Sequence, residues 1–167
     1  MRTKLLWGMA LVVLLVVNYG IWEKERVLVR GRTVLLELAP LDPSWQMQGH
    51  YMLLRYRLSE DIRASLPSQF YGEGLAVVRL DGAGRAVFDH IHKTGEALRP
   101  DQALIRFVKG GESVFIQPDT FFFQEGQGNL YEAARWGELK VSPDGEAVLN
   151  GLRDAALVPL GPRLVQR

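Results

Sequence analysis

The eighteen uncharged residues from Leu5 to Trp22 constrain this 167-residue chain more than any other feature. At 1.5 Å rise per residue, a helix of that length is about 27 Å long, close to the ~30 Å hydrocarbon core of a bilayer. The sequence therefore predicts a transmembrane anchor over residues 5–22. A stub of residues 1–4 would precede it, and a single domain over residues 23–167 would follow.

A cleaved signal peptide is the competing interpretation of this run, because it too has a basic start and an apolar centre. The apolar run exceeds the usual ~7–15 residues, and its end lacks the small-x-small cleavage pattern. Arg2 and Lys4 precede the run, whereas Tyr19 and Trp22 suit the far interface. Although basic residues also follow between positions 24 and 32, we expect a single-pass signal-anchor in the cell (inner) membrane, with the domain on the extracytoplasmic, periplasmic side.

Charge and cysteine content exclude several classes of function. Removing Arg2 and Lys4 from the 20 basic residues leaves 18 against 19 acidic ones in the rest of the chain. This balance argues against nucleic-acid binding, which needs a basic surface for phosphates. The chain has no cysteine, which excludes disulfides, thiolate zinc sites and cysteine nucleophiles. No cofactor is expected.

The rest of the chain is predicted to be mainly β, a β-rich α+β domain with one or two short helices. Short runs rich in Val, Phe, Tyr and Leu alternate with Gly, Pro and Asp. Strands are predicted over residues 27–38, 51–58, 75–80, 86–92, 104–108, 114–117, 121–124, 139–141, 147–149 and 157–160. Hairpin turns are predicted at residues 81–84 and 143–145.

Two segments are predicted to be helical. Asn129 followed by Glu132 forms a capping-box pattern, which predicts a short helix that ends at Gly137. Residues 59–66, closed by Pro67, are the second candidate.

The segment Gly49-His50-Tyr51-Met52-Leu53-Leu54-Arg55-Tyr56 matches the pattern Gly-Asp-Tyr-x-x-Leu-x-Tyr, and a Pro-Leu-Asp-Pro stretch precedes it. Further matches follow at residues 122–126, 131–133 and 137–141. The chain therefore resembles the GDYXXLXY family of bacterial membrane-anchored proteins over most of residues 27–152. The resemblance implies a membrane-tethered protein from a family whose members lie beside, or are fused to, multi-pass membrane domains. It departs from the pattern at His50, where the family has Asp. An altered member is one interpretation of that change, and a tolerated change at the start of a strand is the other.

A strand through the motif would present two different faces. His50, Met52, Leu54, Tyr56 and Leu58 would share one face, and Tyr51, Leu53, Arg55 and Arg57 the other. The first face is expected to be core. The second could bind an acidic peptide, but it is more typical of a half-exposed surface with cross-strand pairs.

The aromatic triplet of residues 121–123 must point at least one ring away from the other two. It is therefore either buried on both faces or exposes an aromatic patch to a partner. Glu125 follows it, before a glycine-rich loop at residues 126–128. That loop could hold an anion at a helix start, although a tight loop in which Glu125 or Asn129 caps the helix is favoured.

Two histidines at a spacing of two, His90 and His92, are the best metal candidates, with His50 as a possible third ligand. We expect Asp89 and Ile91 to face the opposite side and leave no fixed carboxylate nearby. A structural role is favoured for the histidines, because so few ligands are available. A hydrolase that uses these histidines is one form of the enzyme alternative.

The other form is a peptidase that loosely resembles signal peptidases with a Ser–Lys pair. The Ser-Met next to the membrane that such enzymes need is missing, and no serine is spaced to pair with Lys93, Lys109 or Lys140.

The favoured functional prediction is an envelope protein that acts through protein contacts, with a multi-pass membrane protein as the expected kind of partner. The candidate binding residues are Tyr51, Leu54, Arg55, Tyr56, Arg57, Phe122, Phe123 and Glu125, and Phe121 belongs to the same aromatic segment.

Overall fold

A computed structural model describes residues 2–39, 47–48 and 51–162. The chain begins with a 29-residue helix, α1 (Arg2–Arg30), whose described side chains from Trp7 to Trp22 are all exposed. Residues 7–30 of this helix are long and apolar enough to cross a membrane. A signal sequence near the N-terminus can meet the same criteria of length and composition.

The predicted start of the first strand at Val27 is wrong, because α1 continues through Arg30. Val27 is buried against the domain, and the Gly31 N–H donates to the Val27 carbonyl, N···O 2.7 Å. Valine is compatible with either structure locally, so the packing of the helix end decides the boundary.

Eleven strands and one further α-helix follow in the described residues. The strands are β1 (Arg32–Glu37), β2 (Met47–Gln48), β3 (Tyr51–Leu53), β4 (Gly72–Leu80), β5 (Ala86–Ile91), β6 (Gln102–Gly110), β7 (Ser113–Ile116), β8 (Thr120–Phe122), β9 (Trp136–Val141), β10 (Ala147–Arg153) and β11 (Pro159–Leu160). The helix α2 (Leu58–Ser65) confirms the prediction for residues 59–66. The domain is β-rich with few helices, as predicted.

The strands form three antiparallel sheets. One has the order β1-β9-β10-β11, a second β5-β4-β6-β7, and a small third β2-β3-β8. An isolated bridge between Leu35 and Arg85 brings β1 beside the start of β5. Helix α2 contacts both edge strands of the second sheet, β5 and β7.

One hydrophobic cluster joins the three sheets and α2. Its most buried large side chains include Leu36, Ile62, Phe107, Ile116 and Leu139. Because these residues come from β1, α2, β6, β7 and β9, the core depends on contacts between segments that are distant in sequence.

The helix predicted from Asn129 is wrong. The structure has only a 3₁₀ turn, Gly128–Tyr131, without a side-chain cap, and Trp136 already belongs to β9. The Arg135 N–H donates to the Arg153 carbonyl, and its own carbonyl accepts from the Leu38 N–H, both at 2.8 Å. These backbone bonds to distant segments replace those of a helix.

The strand predicted over residues 51–58 is shorter in the structure. It ends at Leu53, and Leu58 already begins α2. Between them, the Leu54 N–H donates to the Asp119 carbonyl, while the Arg57 N–H donates to the Glu37 carbonyl. The segment thus bonds to different neighbours in turn instead of continuing one strand pair.

Gly31 alone connects the α1 helix to β1. A Cβ atom at Gly31 would lie 2.3 Å from the Val27 carbonyl oxygen and 3.0 Å from the Val141 nitrogen. Lys24 also forms an ion pair with Glu146, in the loop between β9 and β10. The end of the helix is therefore held directly against the domain, without a linker.

Candidate functional site

The segment of residues 54–57 lies between two parts of the fold. On one side, the Arg55 carbonyl accepts from the Ala39 N–H at 2.7 Å, which extends the pairing beyond β1. On the other, Leu54 bonds to Asp119 in the connection between β7 and β8. The motif thus joins the first sheet to the end of the second.

The predicted alternation of faces is confirmed for the described residues. Met52, Leu54 and Tyr56 are each at most 5% exposed, whereas Leu53 and Arg55 are exposed. Leu54 and Tyr56, predicted as binding residues, therefore lie in the core and support the surface from below. His50 lies outside the described residues.

The side chain of Tyr56 is held in place by burial and by a hydrogen bond. Its hydroxyl donates to the Pro118 carbonyl at 2.7 Å. Burial, with the nearby Asp119 carboxylate as a smaller cause, raises the pKa of Tyr56 well above its ordinary value. This hydroxyl stays protonated at physiological pH and acts as a structural donor.

A groove of about 410 Å³ lies beside the motif. Its walls are residues 53–56, one face of α2 with Ser59, Glu60 and Arg63, and residues 112–116 around β7. We call it the motif groove. Leu53 and Phe115 give it an apolar surface, since each is 47% exposed.

Five charged side chains line the motif groove without an ion-pair partner in the described part of the chain: Arg55, Glu60, Arg63, Glu112 and Asp119. Arg57, the other predicted basic contact, points elsewhere and pairs with Glu37, N···O 2.9 Å. The groove therefore presents charges of both signs next to apolar surface.

The aromatic triplet is divided between core and surface. Phe121 and Phe123 pack on Tyr131, with ring centroids 4.8 and 5.5 Å away. Phe122 points outward, is 74% exposed and lies across from Tyr51, with ring centroids 6.1 Å apart. Of this segment, only Phe122 offers a largely free ring. Glu125 is exposed in the following turn.

His90 and His92 do face one side, but a carboxylate that the sequence did not indicate lies between them. Nε2 of His90 is 2.7 Å from one Glu96 oxygen, and Nδ1 of His92 is 3.7 Å from the other. The bond from the Lys93 N–H, followed by the one to His90, holds the pKa of Glu96 below its ordinary value. Nδ1 of His92 is buried without a hydrogen-bond partner among the described residues.

The expectation that Asp89 faces away from His90 is wrong. The β4–β5 register passes over Asp89 in a bulge between the partners of Val77 and Val78, and its carboxylate lies 3.6 Å from Nδ1 of His90. Within the described residues, no three His, Asp or Glu side chains form an arrangement that could hold a metal ion. The metal site that includes His50 stays a prediction.

Two of the lysines considered for a Ser–Lys pair are buried and engaged elsewhere. Lys109 donates to the carbonyls of Ser68 and Phe70, both at 3.0 Å, and Lys140 donates to the Thr33 hydroxyl at 2.9 Å. They hold neighbouring segments in place.

Sequence reasoning missed much of the motif groove. Arg63, Glu112 and Phe115 line the groove but were not candidates. The alternation of side chains along the strand Ser113–Ile116 could have indicated that Phe115 lies on the face opposite Val114 and Ile116. Nothing in the sequence indicates that this strand lies beside the motif.

The motif groove lies at the end of β1 that is remote from α1, which we call the stem. The stem contacts the domain around Val141 and Glu146, and Val141 is the register partner of Arg32. From Arg32, β1 runs to Glu37, about 17 Å further at the rise of an extended strand. The groove-lining Ala39 follows two residues later.

These features define a β-rich domain fixed to the end of a long apolar helix, with a groove beside its motif segment. The family model named GDYXXLXY protein matches residues 13–152, so this chain belongs to the GDYXXLXY family. No curated protein and no solved structure gives a match.

Proposed function

We propose that this protein is a membrane-tethered binding module that acts through protein contacts at the motif groove. The observation that carries the proposal is the set of exposed charged and apolar side chains brought together there, among them Arg55, Arg63, Leu53 and Phe115. Exposed apolar side chains within a polar rim are typical of a surface that becomes covered on binding, and aromatic residues and Arg are enriched in such surfaces. Tyr51 and Phe122 extend the surface along β3 and β8.

The proposal places α1 across the cell membrane and the domain outside the cytoplasm. The composition of residues 7–30 supports the span, and the basic residues before it support the orientation. Tethering raises the effective concentration of the domain toward any partner in the same membrane, so a modest interface suffices. A multi-pass membrane protein is the proposed kind of partner.

The direct connection at Gly31 adds a geometric constraint. Since the helix end packs on the domain, the motif groove is held in a limited range of orientations over the membrane. A partner whose binding segment lies where the groove is held would bind it with little loss of orientational entropy by the domain.

Site-specific photocrosslinking in native membranes tests the proposal. A photoreactive residue at Phe115 is expected to crosslink to one protein partner, whereas the same residue at Val87 is not. Val87 is the matched control because it is 60% exposed on β5 and does not line the groove. Equal crosslinking at both positions, or none at Phe115 in a folded protein, would contradict the proposal.

The alternative of an extracytoplasmic enzyme stays a prediction. No arrangement of side chains in the described part of the chain favours it. There, no lysine ammonium is hydrogen-bonded to a serine hydroxyl.

A further inference from the structure

We infer that the occupant of the motif groove is an extended segment of the partner protein that carries an acidic and a basic side chain. The acidic side chain would meet Arg55 and Arg63, and the basic one would meet Glu112. This inference rests on the proposed function and names the chemistry of the partner.

Unpaired charges are the first support for this occupant. Some exposed charged side chains are paired within the domain: Arg57 pairs with Glu37, and Arg106 lies within 4 Å of both Glu73 and Asp144. In the groove, Glu60 and Arg63 are three residues apart on α2 and yet form no ion pair. A ligand of complementary charge would neutralise these groups, and such complementarity provides specificity.

The size of the motif groove favours a segment over a folded surface. Its volume of about 410 Å³ falls in the range of ~300–1,000 Å³ that is usual for ligand pockets. Leu53 and Phe115 would contact an apolar side chain of the segment, while the charged groups of the groove fix its direction. A short peptide carries all three kinds of group within a few residues.

The position of the groove favours a protein over the lipid surface. It lies at the far end of β1, about 17 Å along the strand from the stem contact. Charged lipid headgroups would more readily meet the residues around the stem itself. The segment is therefore expected in an extramembrane part of the partner.

A charge-exchange experiment on the full chain tests the inference. The crosslink from Phe115 is mapped by mass spectrometry, and a synthetic peptide that spans the crosslinked residue is the probe. Its affinity is measured for the detergent-solubilised protein and for the double variant Arg55→Glu/Arg63→Glu. Arg79→Glu is the control, since Arg79 is exposed on β4 outside the groove.

We expect the double variant to bind the peptide at least about tenfold more weakly and Arg79→Glu to bind it unchanged. A peptide with its acidic residue changed to Lys should recover most of the lost affinity with the double variant. Should the double variant unfold, Arg55→Gln/Arg63→Gln gives the same comparison with a smaller loss.

Two outcomes overturn the inference while the proposed function stands: a groove-specific crosslink to a segment without charged residues, or an affinity that does not respond to the exchange. A crosslink to lipid or to a second copy of the chain overturns it as well. Failure of the proposed function is distinct, because the crosslink at Phe115 then equals that at Val87.

Discussion

The ring of Tyr56 rests on Gly137, where an added Cβ atom would lie 3.0 Å from Cε1 of the tyrosine. The two residues belong to different blocks of the family pattern. The backbone of β1 lies between their segments, because Leu36 is the register partner of Gly137 and Leu38, just after β1, forms a bridge with Tyr56. The absence of a side chain at position 137 lets the motif tyrosine reach the Pro118 carbonyl. The two blocks therefore form one packing unit beneath the motif groove.

Gly137→Ala should destabilise the domain by about 1–3 kcal/mol, the usual cost of overpacking a core. Tyr56 cannot move away easily, because its hydroxyl is bonded to Pro118. Chemical unfolding of the solubilised chain measures the change. Gly82→Ala is the control, since an added Cβ there meets nothing within 4 Å; equal stabilities of the two variants would contradict the packing argument.

Tyr56→Phe should lower the free energy of unfolding by about 1–2 kcal/mol, because it leaves the Pro118 carbonyl without its donor. The same unfolding measurement applies. Tyr71→Phe should have little effect, since Tyr71 is 79% exposed. An unchanged stability for Tyr56→Phe would show that water replaces the hydroxyl at no cost.

Gly31→Ala should disturb the junction between α1 and the domain. Its Cβ atom would meet the Val27 carbonyl oxygen at 2.3 Å, so the backbone must shift. Distances between spin labels at Tyr19 and Val87, measured by pulsed electron resonance in lipid discs, should become broader or move. Gly20→Ala is the control because its surroundings are open. Identical distance distributions for the two variants would contradict a rigid junction.

Asp81→Asn should destabilise the domain at neutral pH and have less effect in acid. The N–H and side chain of Arg85, with the Ala83 N–H, hold the pKa of Asp81 below its ordinary value. The stability that this carboxylate contributes is fully present above the ordinary Asp pKa of ~3.9. It is lost as the pH falls through the lower pKa that Asp81 has in the folded protein. Melting temperatures of both proteins against pH measure this.

Their difference should be constant from neutral pH down to about 5 and shrink below about 4. Glu132→Gln is the control, because Glu132 is exposed and forms no ion pair in the described residues. A difference that grows on acidification would reverse the assigned sign.

Local geometry made the faces of the motif predictable. A strand points successive side chains to opposite sides whatever lies around it, so the opposite faces of Met52 and Leu53 follow from the sequence. The alternation continues at Leu54 and Arg55, although the strand has ended at Leu53. The turns at residues 81–84 and 143–145 were predictable for the same reason, since Gly84 and Gly145 have the positive φ that their turns require.

Segments whose bonds lead to distant parts of the chain were not predictable. Arg135 bonds to Leu38 and Arg153, which overrides the local helix signal from Asn129. Likewise, the bulge at Asp89 and the position of Glu96 between His90 and His92 depend on strand register and loop closure.

Local patterns were enough to predict the apolar helix, the β-rich character, the family and the alternation of the motif, because each depends on neighbours in the chain. The direct connection of α1 to the domain came only from the folded chain, and so did the groove lined by Arg55, Arg63, Glu112 and Phe115. That groove forms because β7 and α2 come together through the core around Ile62 and Ile116. No local pattern records that contact.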